Sequence, residues 1–300
     1  MAMNEPGTNR PTVAFVGLGA MGMPMARYLV TAVFPTRGYD VRPESRATLA
    51  SAGGVPTEDL IAAADGADVL LLMVVNAAQA EDVLFERGAL DRLAPDGVVL
   101  LMATCPPRAV KGLAARVLEL GRRFVDAPVS GGVVGATAGT LTIMAAAPPV
   151  TMEVVRPILG ALGDKLFHVG TESGQGATAK AVNQLLCGVH IAVAAEAFGL
   201  AEKVGIDHSV VLDILSGSSA SSWMLCDRGP RMLEDERRVT SAVDIFVKDL
   251  GIVLEAGRGV GAALPLAAMA HQLFLSTSGR GDGSADDSKV VRSYRALNGT

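Results

Sequence analysis

Lys180, Asn183 and Gln184 stand at i, i+3 and i+4 in the segment GQGATAKAVNQLL, and helical spacing puts them on one face. A primary amine beside two carboxamides on one helix face could meet one small polar ligand. The neighbours Ala177, Thr178, Ala179 and Ala181 are too small to shield the amine, and no carboxylate lies within a turn. A solvated helix stripe is therefore the weaker reading, and the small residues read as clearance for ligands. A free lysine, pKa about 10.4, is protonated at neutral pH. Desolvation, or another cation nearby, lowers that value toward the range useful for general acid–base work. DAPVSGG, after the fifth predicted strand, offers a second feature: Ser130, Gly131 and Gly132 can aim amides and a hydroxyl at one carboxylate. An ordinary turn is the commoner use of Ser-Gly-Gly.

A third feature lies at the N-terminal end. GLGAMG (Gly17, Leu18, Gly19, Ala20, Met21, Gly22) directly follows a predicted strand and opens a predicted helix. A lone GxGxxG is weak, but strand–turn–helix is the context in which it cradles a pyrophosphate. Asp40, about twenty residues on, suits the adenosine ribose hydroxyls and repels a 2′-phosphate, which favours NAD. Arg42, two residues later, keeps NADP possible. Val74, Val75, Asn76 and Thr104 follow two further strands, on the side where an open α/β sheet binds its ligand. Each alone reads as an ordinary loop or helix cap.

Other candidates read more plainly. His190 is ten residues past Lys180, roughly 15 Å along a helix, so a buried, hydrogen-bonded histidine is expected rather than a partner in catalysis. Asp244 and Lys248 either form an i,i+4 pair or leave Lys248 to reach a ligand. Trp223 is expected in the core.

These residues need a scaffold. TVAFVG (12–17), RGYD (37–40), ADVLLLMVV (67–75), GVVLLMA (97–103) and RRFVDAP (122–128) read as strands, most of them apolar almost throughout, as strands covered on both faces should be. Helical stretches at 21–31, 43–52, 77–85 and 107–120 separate them, and LTIMAA and DKLFHVG are later strands. The pattern predicts an α/β fold, a Rossmann-type doubly wound parallel sheet over residues 12–170. Residues 1–11 read as a disordered lead. From 171 to 300 the expectation is an all-α domain, joined by one long helix over 175–204, with others at 207–216, 242–258 and 265–278. The Gly/Ser/Asp-rich run 278–288 reads as a loop.

Composition limits the partners. Of 300 residues, 50% are hydrophobic and 19% charged, with net charge −5 and no long basic run, so nothing argues for nucleic acid. Three scattered cysteines suit a reducing cytoplasm, and four dispersed histidines suggest no metal constellation. No signal-peptide core and no membrane span is expected.

GLGAMGMPMA, DAPVSGG, GxGxxxKxxNQ and KDLG, in this order, resemble the β-hydroxyacid dehydrogenase family over about residues 12–297. The resemblance implies an oxidoreductase acting on a small hydroxy acid, commonly as a homodimer or homotetramer. It implies NAD at residues 17–22, Asp40, 74–76 and Thr104, with Lys248 beside the cofactor. Lys180 falls at the family's catalytic lysine, Ser130, Gly131 and Gly132 at its substrate turn, and Asn183 and Gln184 at its substrate-orienting carboxamides. Many members carry Asn where this chain has Gln184. The rival from another class, a non-catalytic dinucleotide-binding scaffold, is disfavoured because the lysine is kept.

Overall fold

The computed structural model describes residues 10–234 and 239–299; most of the expected N-terminal lead, residues 1–9, lies outside them. The chain divides into two compact units, one running to Lys180 and one beginning at Ala181.

In the first unit, β1 (Val13–Val16), β2 (Thr36–Tyr39), β3 (Val55–Pro56), β4 (Val69–Leu72), β5 (Val98–Leu101) and β6 (Arg123–Asp126) pair in parallel. The order of the nine-stranded sheet is β3-β2-β1-β4-β5-β6-β8-β7, with β7 (Val129–Ser130) and β8 (Thr142–Ala146) antiparallel additions. β9 (Lys165–Gly170) pairs with β8 alone. Parallel strands need crossovers. They are α1 (Gly22–Thr31), α2 (Pro43–Ser51), α3 (Leu60–Ala64), α4 (Ala77–Glu81) and α5 (Pro107–Glu119); α6 (Gly132–Ala138) joins β7 to β8 and α7 (Pro149–Leu162) leads to β9. Alternation along a strand divides β1 between two cores: Val13 and Phe15 pack with Met25 and Leu29, Ala14 and Val16 with Leu60 and Leu70. Helices thus cover both faces of the sheet, the expected doubly wound fold. Sequence reading missed β3 and β7, each two residues long, and the short helices α3 and α6, for which periodicity has too few residues to register; it also missed α7 and, in the second unit, Trp223–Leu233, helices that each contain a proline.

α8 (Gln175–Val204) is one unbroken helix of 30 residues that starts in the first unit and continues into the second. Ala177 belongs to a core of the sheet unit, whereas Ala181, Ile191, Ala195 and Phe198 belong to the helical core. Val182, Leu186, Val193, Leu200 and Val204 form an exposed apolar stripe. By length and composition alone α8 could cross a membrane, where the sequence led to the expectation of no span. Half of its most apolar window is buried inside the protein, as in an ordinary core helix.

The described part of the second unit continues as α9 (His208–Ser216), α10 (Trp223–Leu233), α11 (Val243–Val260), α12 (Pro265–Thr277) and α13 (Val291–Asn298). Three expectations are corrected there. Trp223 opens α10 and is exposed. His190 is only half-buried. The Gly/Ser/Asp run is not simply a loop: Ser278–Asp282 forms a π-helical turn, Asp287–Val290 a 3-10 turn, and Asp286, Asp287 and Ser288 are buried. The physical reason is on α10: Arg228 Nε donates to Asp287 Oδ1 at 2.7 Å and its Nη2 to Oδ2 at 3.0 Å. Arg231 pairs with Asp227 at 2.8 Å and stands 3.6 Å from Asp286. Burial pushes the Asp287 carboxyl up while the Arg228 guanidinium opposes it. Removing one partner of a buried pair strands the other, at about 3–5 kcal/mol. Arg228→Ala is therefore expected to lower the urea midpoint of the helical unit by a matching amount. A change within experimental error would show that the pair carries no such energy.

Candidate active site

The fingerprint loop leaves β1 with backbone packed on backbone. Gly17 has φ +94°, and a Cβ there would stand 2.5 Å from the Met73 carbonyl oxygen. A Cβ on Gly22 would meet the Gly17 carbonyl oxygen at 1.8 Å. At Gly19 the space is open, with only Arg42 Nη2 near, at 3.6 Å. The helix that follows has no side-chain cap at Met21; Met23 N–H donates to the Gly19 carbonyl at 3.0 Å, and Pro24 has no N–H to satisfy. An uncapped helix start behind an open glycine is a fit for a dinucleotide pyrophosphate.

Asp40, at the end of β2, is 7% exposed. Its Oδ2 accepts from the Leu18 N–H at 2.7 Å, and its Oδ1 accepts from the N–H and Nε of Arg42 at 2.9 and 3.1 Å. Burial pushes this carboxyl up, but Arg42 and the Leu18 N–H outweigh it and hold the pKa below its ordinary value. The residue therefore braces the fingerprint loop in addition to presenting a carboxylate. Asn76 follows β4 and caps α4, accepting from Gln79 N–H at 2.9 Å, while Val75 N–H donates to Gln79 Oε1 at 2.9 Å. Val74, beside them, is half-buried, as is Thr104 beyond β5. All follow the carboxyl ends of parallel strands.

Ser130 closes β7, in register with Thr142 of β8. Gly131 and Gly132 have φ of +124° and +60°, which side chains resist, so this turn requires its glycines. Four residues earlier, Asp126 ends β6 at 1% exposure. Its Oδ2 accepts from the N–H groups of Gly174 and Ala177, each at 2.9 Å, and so grips the start of α8. A Cβ on Gly176 would stand 2.6 Å from the carbonyl oxygens of both Asp126 and Met144. Gly176 and Ala177 are small because α8 begins against the sheet, which corrects their reading as ligand clearance. Lys180 follows three residues beyond Ala177 and is 6% exposed.

Farther along α8, in the second unit, Asn183 is half-buried and Gln184 is 7% exposed. Gln184 Nε2 donates to Asp249 Oδ2 at 2.6 Å, and Lys248 Nζ stands 3.0 Å from Asp249 Oδ1. The i,i+4 pairing considered for Asp244 and Lys248 is not formed; Asp244 accepts from Ser278 Oγ at 2.6 Å instead. Sequence reading missed Asp126 and Asp249. Both sit inside quoted motifs, DAPVSGG and KDLG, and a carboxylate in an apolar context was the available signal.

Comparison with known proteins fits this arrangement. A family model described as the NAD binding domain of 6-phosphogluconate dehydrogenase matches residues 12–170. A second, described as the NAD-binding domain of NADP-dependent 3-hydroxyisobutyrate dehydrogenase, matches residues 174–294. An L-threonate dehydrogenase of Cupriavidus necator is 41% identical over 95% of this chain and 96% of its own length. One from Escherichia coli K12 is 39% identical over 95% of each. A crystal structure of a 3-hydroxyisobutyrate dehydrogenase from Salmonella typhimurium superposes with TM-score 0.89 at 37% identity, covering 94% of this chain and 99% of the other. The chain belongs to the 3-hydroxyisobutyrate (β-hydroxyacid) dehydrogenase family. It is an NAD(P)-dependent dehydrogenase acting on the hydroxyl group of a hydroxy acid.

Burial pushes the Asp126 carboxyl up to about 6, outweighing the N–H groups of Ala177, Gly174 and Gly176 that pull it down. A pKa raised on folding adds stability at low pH that is lost as pH climbs from about 4, the unfolded value, through about 6. Asp126→Asn is expected to remove that slope from the thermal midpoint measured across this window. An unchanged slope would mean that Asp126 titrates as it does in the unfolded chain.

Proposed function

We propose that the protein oxidises L-threonate at C2 to the 2-oxo acid, with NAD as acceptor and Lys180 as general acid/base. The observation that carries the chemistry is a lysine 6% exposed on a helix with carboxamides three and four residues on. When bound, the dinucleotide supplies the hydride acceptor. Lys180, as the neutral amine, takes the hydroxyl proton during oxidation and returns it during reduction. Asn183 and Gln184 orient the hydroxyl, Ser130, Gly131 and Gly132 hold the carboxylate, and Lys248 serves the cofactor side. Gly17, Leu18, Gly19, Ala20, Met21 and Gly22 hold the pyrophosphate, and Val74, Val75, Asn76 and Thr104 line the way to the nicotinamide. Asp40 favours NAD because its carboxylate accepts ribose hydroxyls and repels a 2′-phosphate.

L-threonate is supported by the relatives of that name at 41% and 39% identity. A second reading, 3-hydroxyisobutyrate, is favoured by the name of the Salmonella structure. Gln184 speaks against its direct transfer, since a longer carboxamide stands where many members have Asn. Reduction of tartronate semialdehyde is a third possibility within the same chemistry. The exposed stripe on α8 supports a homodimer or homotetramer, which light scattering of the purified protein checks.

Lys180→Ala is expected to keep cofactor affinity and lose about 10²–10⁴-fold in kcat, the usual span for a general acid–base group. Turnover near wild type in that variant would remove Lys180 from the mechanism. Steady-state assays of L-threonate and 3-hydroxyisobutyrate with NAD and NADP, and of tartronate semialdehyde with the reduced cofactors, are expected to give the highest kcat/KM for L-threonate with NAD. A clear preference for 3-hydroxyisobutyrate would reverse the substrate reading.

A further inference from the structure

We propose that Asp126 is a positioning residue for Lys180: its carboxylate clamps the first turn of α8 to the end of β6 and thereby sets where the lysine stands relative to the turn at residues 130–132. The inference rests on the reading of Lys180 as the acid/base group.

Two strands of geometry support the clamp. The hydrogen bonds from Gly174 and Ala177 converge on one oxygen, so the carboxylate holds both ends of the helix's first turn. Gly176, between them, lies against the Asp126 and Met144 carbonyl oxygens with no room for a side chain. The first turn is therefore held against the sheet by hydrogen bonds and by backbone contact, both centred on Asp126. Ala177 and Lys180 are three residues apart, about 4.5 Å along the axis, so a shift at the clamp passes to the lysine almost undiminished. In the other direction the chain runs from Asp126 through Pro128 to Ser130 in four residues. One side chain thus ties the lysine helix to the loop that presents the carboxylate-binding turn.

The clamp is also costly for a helix cap. Exposed Ser, Asn or Asp at a helix start satisfies the same N–H groups without desolvating a charge. Asp126 is 1% exposed, and its Oδ1 is buried with no hydrogen-bond donor on it. A residue placed for stability alone gains nothing from that oxygen. A residue placed to fix a position gains a rigid, planar anchor with no competing water.

The test uses the full-length protein and three variants. Asp126→Ala is expected to lower kcat about 10–100-fold, the effect of misplacing a reacting group by about 1 Å, while the dissociation constant for NAD stays within about twofold of wild type because the fingerprint loop is untouched. Asp126→Asn keeps a carbonyl acceptor and is expected to recover most of kcat. Gly176→Ala retains the carboxylate but pushes the helix off the two carbonyl oxygens, and should lower kcat even if Asp126→Ala does not fold. Hydrogen exchange of the peptide spanning 174–180, measured without cofactor or substrate, should quicken in Asp126→Ala and return toward wild type in Asp126→Asn. Wild-type kcat in Asp126→Ala or in Gly176→Ala, or equal loss in the Ala and Asn variants of Asp126, would overturn the proposal. Normal turnover in Lys180→Ala would refute the acid/base reading instead, while the exchange measurement would still report on the clamp.

Discussion

Where α8 begins, a glycine without a side chain lies against the carbonyl oxygens of Asp126, at the end of β6, and Met144, in the middle of β8, and a buried carboxylate holds the N–H groups on either side of it. Much of the candidate chemistry depends on this contact. The helix rises from the sheet at a fixed point, so the residues along it are ordered by helical geometry rather than by loop conformation. Sites carried on helices and strands are held more closely than sites on loops. The turn at residues 130–132 is likewise backbone-determined, by two glycines with positive φ. The dinucleotide loop follows the same rule, with Gly17 and Gly22 packed against carbonyl oxygens. At the helix start and in the dinucleotide loop the protein removes side chains where two backbones must meet, and at the turn it removes them where positive φ would strain them.

Much of the sheet unit was legible in the sequence, and the reason is locality. Strands such as VLLL in β4 and VVLL in β5 are buried on every residue, and an uninterrupted apolar run announces that without reference to any distant partner. GLGAMG has its meaning within six residues. α8 was legible for the same reason, since no Pro or turn interrupts its 30 residues.

What the sequence concealed is mostly charge with a distant partner. Arg228 and Asp287 are separated by 59 residues, and each looks like a surface residue until the fold brings them together. Gln184 and Asp249 are 65 apart, so a carboxamide read as a ligand for substrate is also a ligand for a carboxylate of the same unit. Asp126 reaches residues 48 and 51 positions away. In each case the polar residue was visible but its partner was not. The misreading of Trp223 has the opposite cause: size suggested burial, whereas its place at the first turn of α10 exposes it.

Asp40 and Arg42 show a further asymmetry. The carboxylate side chain is 8% exposed and the guanidinium side chain 57%, although they stand 3.1 Å apart. Dissolved ions reach the arginine and hardly reach the aspartate, and at physiological ionic strength screening is effective beyond about 8 Å only for exposed charge. The pair is therefore not a balanced one as a ligand meets it. Its negative member acts through the protein interior and its positive member through water, so the surrounding salt weakens the field of the arginine more than that of the carboxylate. The electrostatic balance of this corner of the fold belongs to the solution as much as to the residues.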